Sequence, residues 1–202
     1  MKPTFAICTG TLGLVLGATA ALHAVPPPPE QYSADCARPV YASDQLVCQT
    51  PELLALDKAL ASQIAATDNA TFASDNRFTE GHGEWFRRRS LCAMQTDQLS
   101  CLRAAYADRS RLIERLGKPL PAAGQRFICR LASDRSILQL SFKRPDEVLI
   151  ANHTGLVVGM ASNGKPISGW RSFLTFQKKQ NNMTLTDAQN GSTSCKLTRL
   201  KP

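Results

Sequence analysis

The sequence has few histidines and lacks the short motifs of common metal sites and enzyme active sites. It contains 3 His in 202 residues, and no two cysteines have the CxxC spacing. Zinc sites normally use closely spaced Cys or His pairs, so we expect no metal and no cofactor. The chain also has no GxSxG, no Walker loop and no HExxH. We therefore expect a protein that is not an enzyme.

The remaining candidate catalytic groups are isolated from one another in the sequence. His82 and His153 have no nucleophile close by. Glu80 and Glu84 lie one helical turn apart, and such a pair more often forms salt bridges than a catalytic site. No set of residues predicts a catalytic centre.

The chain also lacks a long uninterrupted apolar run. Residues 1–24 place Lys2 ahead of a short apolar stretch and end in small residues, which is the layout of a signal peptide. A membrane anchor is the alternative, but the stretch is short and contains Thr and Gly. We predict a periplasmic or secreted protein with a Pro-rich tether at residues 25–35 and no stable membrane insertion after signal removal.

The cysteines fit an exported protein. Removal of the signal peptide removes Cys8 and leaves an even number, which in an exported chain predicts disulfides. Six cysteines allow about fifteen connectivities. The simplest pairs neighbours along the chain: Cys36–Cys48, Cys92–Cys101 and Cys129–Cys195.

Positive charge is concentrated in the C-terminal part. Residues 25–124 hold 11 Lys and Arg against 12 Asp and Glu, whereas residues 125–202 hold 12 against 4, a net charge of +8. A field of this sign attracts an anionic partner. For an exported bacterial protein, such a partner is lipopolysaccharide, a cell-wall polymer or a carboxylate-lined protein cleft.

Residues 36–117 have a helical period. Thr50 and Pro51 form a helix start, with Thr as the cap and Pro in the first turn. The first predicted helix then carries one apolar face, made by Leu53, Leu56, Leu60 and Ile64. A second helix is predicted at residues 80–92 with Trp85 facing inward, and a third at about residues 102–116.

The period changes in the C-terminal half. Residues 126–202 contain seven short β-branched or alternating runs separated by Gly, Asn, Asp and Pro, a pattern typical of a small antiparallel sheet or barrel. Residues 118–125 are predicted as the linker. The expected fold class is α+β: a disulfide-clipped helical hairpin or three-helix domain followed by a small, basic antiparallel β-barrel.

Three consecutive arginines, Arg87, Arg88 and Arg89, lie on the second predicted helix. Three adjacent helical residues cannot share one face, so the run does not predict a flat basic patch. We interpret it as a solvated face with one arginine salt-bridged inward, and we expect no nucleic-acid partner.

The N-terminal half resembles the LprI-type lysozyme-inhibitor family. The resemblance rests on four cysteines and on a spaced set of residues over about 80 positions: Asp35-Cys36, Val47-Cys48, Pro51-Glu52-Leu53, Leu56-Asp57, Trp85, Arg89, Cys92, Cys101-Leu102, Tyr106 and Arg109. It implies a disulfide-clipped helical domain.

The C-terminal half resembles lysozyme-inhibitor domains of the MliC type through Cys129, the segment Ser168-Gly169-Trp170-Arg171-Ser172, Lys178 and the segment Ser194-Cys195-Lys196-Leu197. Ser172 stands where that family has Tyr. The resemblance implies a flattened eight-stranded barrel that blocks c-type lysozyme. It also implies a set of partner-binding residues: Ser168, Gly169, Arg171 and Lys178.

The expected function is inhibition of c-type lysozyme by a loop of the β domain. The alternative is a binding module for anionic envelope polymers, either lipopolysaccharide or cell-wall glycan, driven by the basic half. The structural alternative for Ser168 and Gly169 is an ordinary turn between strands. For Lys178, Lys179 and Lys196 it is a solvated strand edge that discourages edge-to-edge pairing.

Overall fold

The protein combines four helices with a seven-stranded barrel in a computed structural model that describes residues 33–67, 77–189 and 191–200. The predicted signal peptide and most of the predicted tether lie outside these residues. In the part that is described, no helix has both the length and the apolar character needed to cross a membrane. The four helices and the seven-stranded barrel confirm the α+β class predicted from the sequence.

The helices occupy the N-terminal part, and their bounds are α1 Asp44–Gln49, α2 Pro51–Ala65, α3 His82–Ser90 and α4 Gln98–Arg115. A 3₁₀ turn, Leu91–Met94, follows α3. Helix α3 is thus shorter than predicted, and α1 was not predicted at all because six residues carry no helical period.

The helix starts show one correction to the sequence analysis. Pro51 does occupy the first turn of α2, but the Thr50 side chain makes no capping hydrogen bond. A side-chain cap is present at a different helix, α4. There, Asp97 Oδ1 accepts a hydrogen bond from the backbone N–H of Ser100 at 3.0 Å. A carboxylate at this position also complements the positive end of the helix dipole.

The strands follow in the order β1 Gln125–Leu131, β2 Ile137–Arg144, β3 Glu147–Ala151, β4 Val157–Ser162, β5 Leu174–Lys179, β6 Asn182–Asp187 and β7 Ser192–Arg199. They close into a barrel because β1 pairs with both β2 and β7. Each of the seven runs predicted from alternation overlaps one strand.

The barrel differs from the expectation in two ways. It has seven strands where the resemblance implied eight, and β4 pairs with β5 in parallel through two residue pairs only, Ala161 with Leu174 and Ser162 with Thr175. Parallel neighbours need a connection longer than a hairpin. Residues 163–173 provide it, and they contain a tight turn of their own.

The barrel core includes a side chain from the helical half. Phe78 precedes α3, is 8% exposed and packs among the interior residues of the barrel. The neighbouring Thr79 donates its hydroxyl to the carbonyl of Val158 in β4 at 2.7 Å. Gly159 makes this approach possible, since an added Cβ would lie 2.5 Å from the Phe78 carbonyl oxygen.

The segment predicted as a linker is bound to the barrel. Lys118 accepts a hydrogen bond from the amide of Val157, and the amide of Leu120 donates to Gly155, both at 2.9 Å. A small apolar cluster joins the end of α4 to β3 and β4 across this segment, formed by Leu112, Leu116, Leu120, Leu149, Ala151, Val157 and Met160. The helices and the barrel therefore share buried surface.

The structure forms three disulfides, Cys36–Cys48, Cys92–Cys101 and Cys129–Cys195, which are the pairs that proximity along the chain indicated. The last links β1 to β7 over a sequence separation of 66. Closure of such a long loop contributes about 4 kcal/mol on the chain-entropy view. Disulfides of this number are typical of proteins outside the reducing cytosol.

We expect Gly159→Ala to lower the free energy of unfolding by about 1–3 kcal/mol, because the new methyl group overlaps the backbone of Phe78. Chemical denaturation followed by circular dichroism measures the change. Gly83→Ala is the matched control, since no atom lies within 4 Å of the Cβ site in α3. Equal stability of Gly159→Ala and the wild type would contradict the packing of residues 77–79 on β4.

Candidate binding surface

A buried arginine joins all four helices. Arg89, in α3, is fully buried and donates hydrogen bonds to Asp44 in α1, to Asp57 in α2 and to the hydroxyl of Tyr106 in α4. The Tyr106 hydroxyl in turn donates to Asp57 at 2.7 Å. Burial raises the pKa of Tyr106, so its phenol stays protonated and can act as this donor. The network sets the position of α3 within the helical half.

The other two arginines of the run have different roles. Arg87 is exposed, whereas Arg88 is only 20% exposed and pairs with both carboxylate oxygens of Glu80. The prediction that one arginine of the run is salt-bridged inward is confirmed by Arg89. Arg88 departs from the predicted solvated face, because most of its side chain is buried too. Arg88 was missed as a contact residue, because nothing in the sequence shows what lies opposite α3.

Arg88 holds a loop of the barrel half. Its Nη1 donates to the backbone carbonyl of Arg171 at 2.8 Å. Its guanidinium also lies over the indole of Trp170, 4.3 Å from the ring centroid. Such cation–π stacking stabilises a partly buried pair by about 1–2 kcal/mol. The Arg88 side chain therefore contacts both the backbone of the loop and the Trp170 indole.

Asp108, in α4, holds the same loop from the other side. One carboxylate oxygen accepts a hydrogen bond from Trp170 Nε1 at 3.1 Å, and the other accepts one from the Ser172 hydroxyl at 3.0 Å. Burial raises the pKa of Asp108, while the donors Trp170 and Ser172 act in the opposite direction. Trp170 is 5% exposed and belongs to the apolar core of the helical half.

The loop itself is a two-residue turn. Ile167 and Trp170 exchange backbone hydrogen bonds of 2.8 Å, and Ser168 and Gly169 between them have φ of 48° and 90°. Two positive φ values at the central residues are typical of a type I′ turn. The tip rests on the helical half, since a Cβ at Gly169 would lie 2.3 Å from Gln95 Oε1. We call residues 167–172 the clamped turn.

The predicted partner-binding residues fall into two places. Ser168, Gly169 and Arg171 are together on the clamped turn, and all three are exposed. Lys178 is not with them. It lies at the end of β5, with its Nζ 4.8 Å from the centroid of the Phe127 ring.

Two cavities adjoin these places, and Arg144 and Asn163 line both of them. Ser168 lines one of about 650 Å³ at the junction of α4 with the barrel, together with Asp108 and Trp170. Lys178 lines another, of about 890 Å³, at one end of the barrel. Ser172, at the position of the Tyr in the resembled family, donates its hydroxyl to Asp108 and is partly buried.

The sequence did not reveal the groups that anchor the turn, Arg88 and Asp108. Asp108 lies 62 positions before Trp170 and 64 before Ser172, and no local pattern connects them. One clue was present in the sequence: a Trp in a Ser-Gly turn needs somewhere to bury its ring. Within the described ranges, no group of three or more His, Cys, Asp or Glu side chains could hold a metal ion.

A second buried site lies between α3 and α4. Arg109 donates to His82 Nδ1 at 2.8 Å and to the backbone carbonyl of Glu80 at 3.1 Å. Burial, with the adjacent Arg109 guanidinium, lowers the pKa of His82 to about 3. His82 is therefore a neutral acceptor at physiological pH.

No protein-family model matches this chain, and comparison with curated proteins gives no significant match.

We expect Asp108→Ala to loosen the clamped turn, because it leaves Trp170 Nε1 and the Ser172 hydroxyl without their acceptor. The free energy of unfolding should fall by about 1–3 kcal/mol. Hydrogen exchange followed by mass spectrometry should show faster exchange at residues 168–172 than in the wild type. Asp134→Ala is the control: it removes an exposed 2.9 Å ion pair with Arg77 and should lower the free energy of unfolding less than Asp108→Ala does.

We expect His82 to make the free energy of unfolding decrease as the pH is lowered. Its pKa is about 3 in the folded protein against 6.5 when unperturbed, so between these values only the unfolded chain takes up the proton. The free energy of unfolding therefore decreases as pH falls from 6.5 toward 3. His82→Gln should flatten this slope between pH 6.5 and 4.5. A slope in His82→Gln equal to that of the wild type would contradict the assignment.

Proposed function

We propose that this protein is an exported inhibitor of c-type lysozyme and that the clamped turn enters the cleft of the enzyme. One observation carries the proposal. Arg88 binds the backbone of the turn, and Asp108 binds the side chains of Trp170 and Ser172. The side chains of Ser168 and Arg171 are exposed. A turn that needed only to join two strands would not require anchors from two helices.

The chemistry of the target fits these side chains. Glycoside hydrolases of this type cut with two carboxyl groups in a cleft. A hydroxyl and a guanidinium can donate charge-assisted hydrogen bonds to carboxylates, which are among the strongest polar contacts in proteins. Because the turn is already ordered, binding loses little conformational entropy, and more of the contact energy appears as affinity.

The proposal gives the helical half a role in the same function. Helices α3 and α4 supply the groups that hold the turn, and Trp170 is part of the helical core. The three disulfides agree with a place outside the cytosol. We propose the periplasm or the extracellular medium, where a lysozyme would be met.

We expect the full mature chain to inhibit a c-type lysozyme digesting bacterial cell walls at physiological salt. Arg171→Glu should weaken inhibition by about tenfold to a hundredfold, because it places a carboxylate against carboxylates. Ser168→Ala should weaken it by about tenfold or less. Turbidity loss of a cell suspension, titrated with the inhibitor, measures the inhibition constants.

Arg130→Glu is the matched control for this test. Arg130 is exposed on β1 and lies outside the clamped turn, so the variant makes the same charge change away from the proposed contact. The full chain is used because a barrel fragment would lack Phe78 and expose Trp170. Absence of inhibition at micromolar concentration, or equal losses in Arg130→Glu and Arg171→Glu, would refute the proposal.

A further inference from the structure

Three phenyl rings form a platform at one end of the barrel. Phe142 makes edge-to-face contacts with both Phe127 and Phe176, each with ring centroids 5.6 Å apart. Phe127 and Phe176 are buried, while Phe142 is only partly so. The platform is therefore the top layer of the barrel core, and one ring remains accessible from outside.

Lys178 stands over this platform. Side chains alternate along a strand, so Lys178 shares the interior face of β5 with Leu174 and Phe176. Its Nζ lies 4.8 Å from the centroid of Phe127 and 5.4 Å from that of Phe142. Lysines that only protect a strand edge point into solvent. Lys178 instead places its ammonium group over two phenyl rings, so protection of a strand edge does not account for its position.

The surrounding cavity is cationic. It measures about 890 Å³, and its charged lining residues are Lys143, Arg144, Lys178 and Lys179, with no carboxylate among them. Arg144 is neutralised by Glu147 at 2.6 Å. The three lysines make no salt bridge with any residue in the described ranges. Three positive charges at one concave site, without compensation, attract an anion.

We infer that this end of the barrel, lined by Lys143, Lys178, Lys179 and the partly exposed ring of Phe142, binds an anionic sugar. The ammonium groups would receive a carboxylate or phosphate, and the apolar C–H face of the sugar ring would pack on the phenyl ring. The volume of the cavity lies within the range of small-molecule sites. Lysine is a point charge without the forked geometry of arginine, so the site accepts either anion.

This site goes beyond the proposed inhibition of lysozyme and does not depend on it. The clamped turn and the platform line different cavities. The carboxylate and the phosphate have different sources in a bacterial envelope. Lactyl carboxylates occur on wall glycan, and sugar phosphates on lipid headgroups.

The test is isothermal titration calorimetry of the full mature chain at low salt, with no lysozyme present. The carboxylate probe is the disaccharide of N-acetylglucosamine and N-acetylmuramic acid, and the phosphate probe is N-acetylglucosamine 6-phosphate. The neutral disaccharide of N-acetylglucosamine is the matched control for the first. We expect saturable binding of at least one anionic probe and at least tenfold weaker binding of the neutral one, and the tighter probe identifies the source.

The variant that tests the site is Lys178→Gln, which removes the charge over the rings and should weaken binding of the anionic probe by about tenfold. Lys196→Gln makes the same charge change on β7, away from the cavity, and should leave binding within about twofold of wild type. Hydrogen exchange of the strands verifies that both variants fold. Equal binding of the neutral disaccharide, equal losses in the two variants, or no saturable binding at millimolar concentration would overturn the inference.

Discussion

The structure depends on one buried guanidinium. Arg89 holds Asp44, Asp57 and Tyr106 from the three other helices, and each of these partners has little exposure to water. Taking such charges out of water is costly, and the cost is offset only when every partner is present. Because Arg88 immediately precedes Arg89 on the same helix, the geometry that satisfies Arg89 also determines where the neighbouring guanidinium meets the barrel. The buried network and the exposed turn are therefore linked through one turn of α3.

The two halves exchange aromatic side chains. Phe78 comes from the helical half and packs in the barrel core, and Trp170 comes from the barrel half and packs in the core of the helices. Phe78 is 8% exposed and Trp170 5%, and aromatic burial is among the largest single contributions to a core. With the shared cluster at the end of α4, these contacts make the helices and the barrel parts of one packed body despite their separate sequence periods.

Periodicity was enough to predict the strands and the larger helices. Alternation located all seven strands, because an interior and an exterior face are both encoded locally. The chain order of the cysteines indicated their pairing. The contacts that cross between the halves escaped prediction, since Asp108 with Trp170 and Phe78 with Gly159 join residues far apart in sequence. The parallel pairing of β4 with β5 was missed for the same reason, because strand direction depends on the path of the connection and not on composition.

The barrel wall has two unlike seams. The seam between β1 and β7 carries five residue pairs and the Cys129–Cys195 bond, whereas that between β4 and β5 carries two pairs and no covalent link. Under strain, β4 and β5 should separate before β1 and β7 do, because the disulfide holds β1 and β7 together. The connection across that weak seam is residues 163–173, which include the clamped turn. The helices that hold this turn therefore also brace the barrel at the seam where it would open.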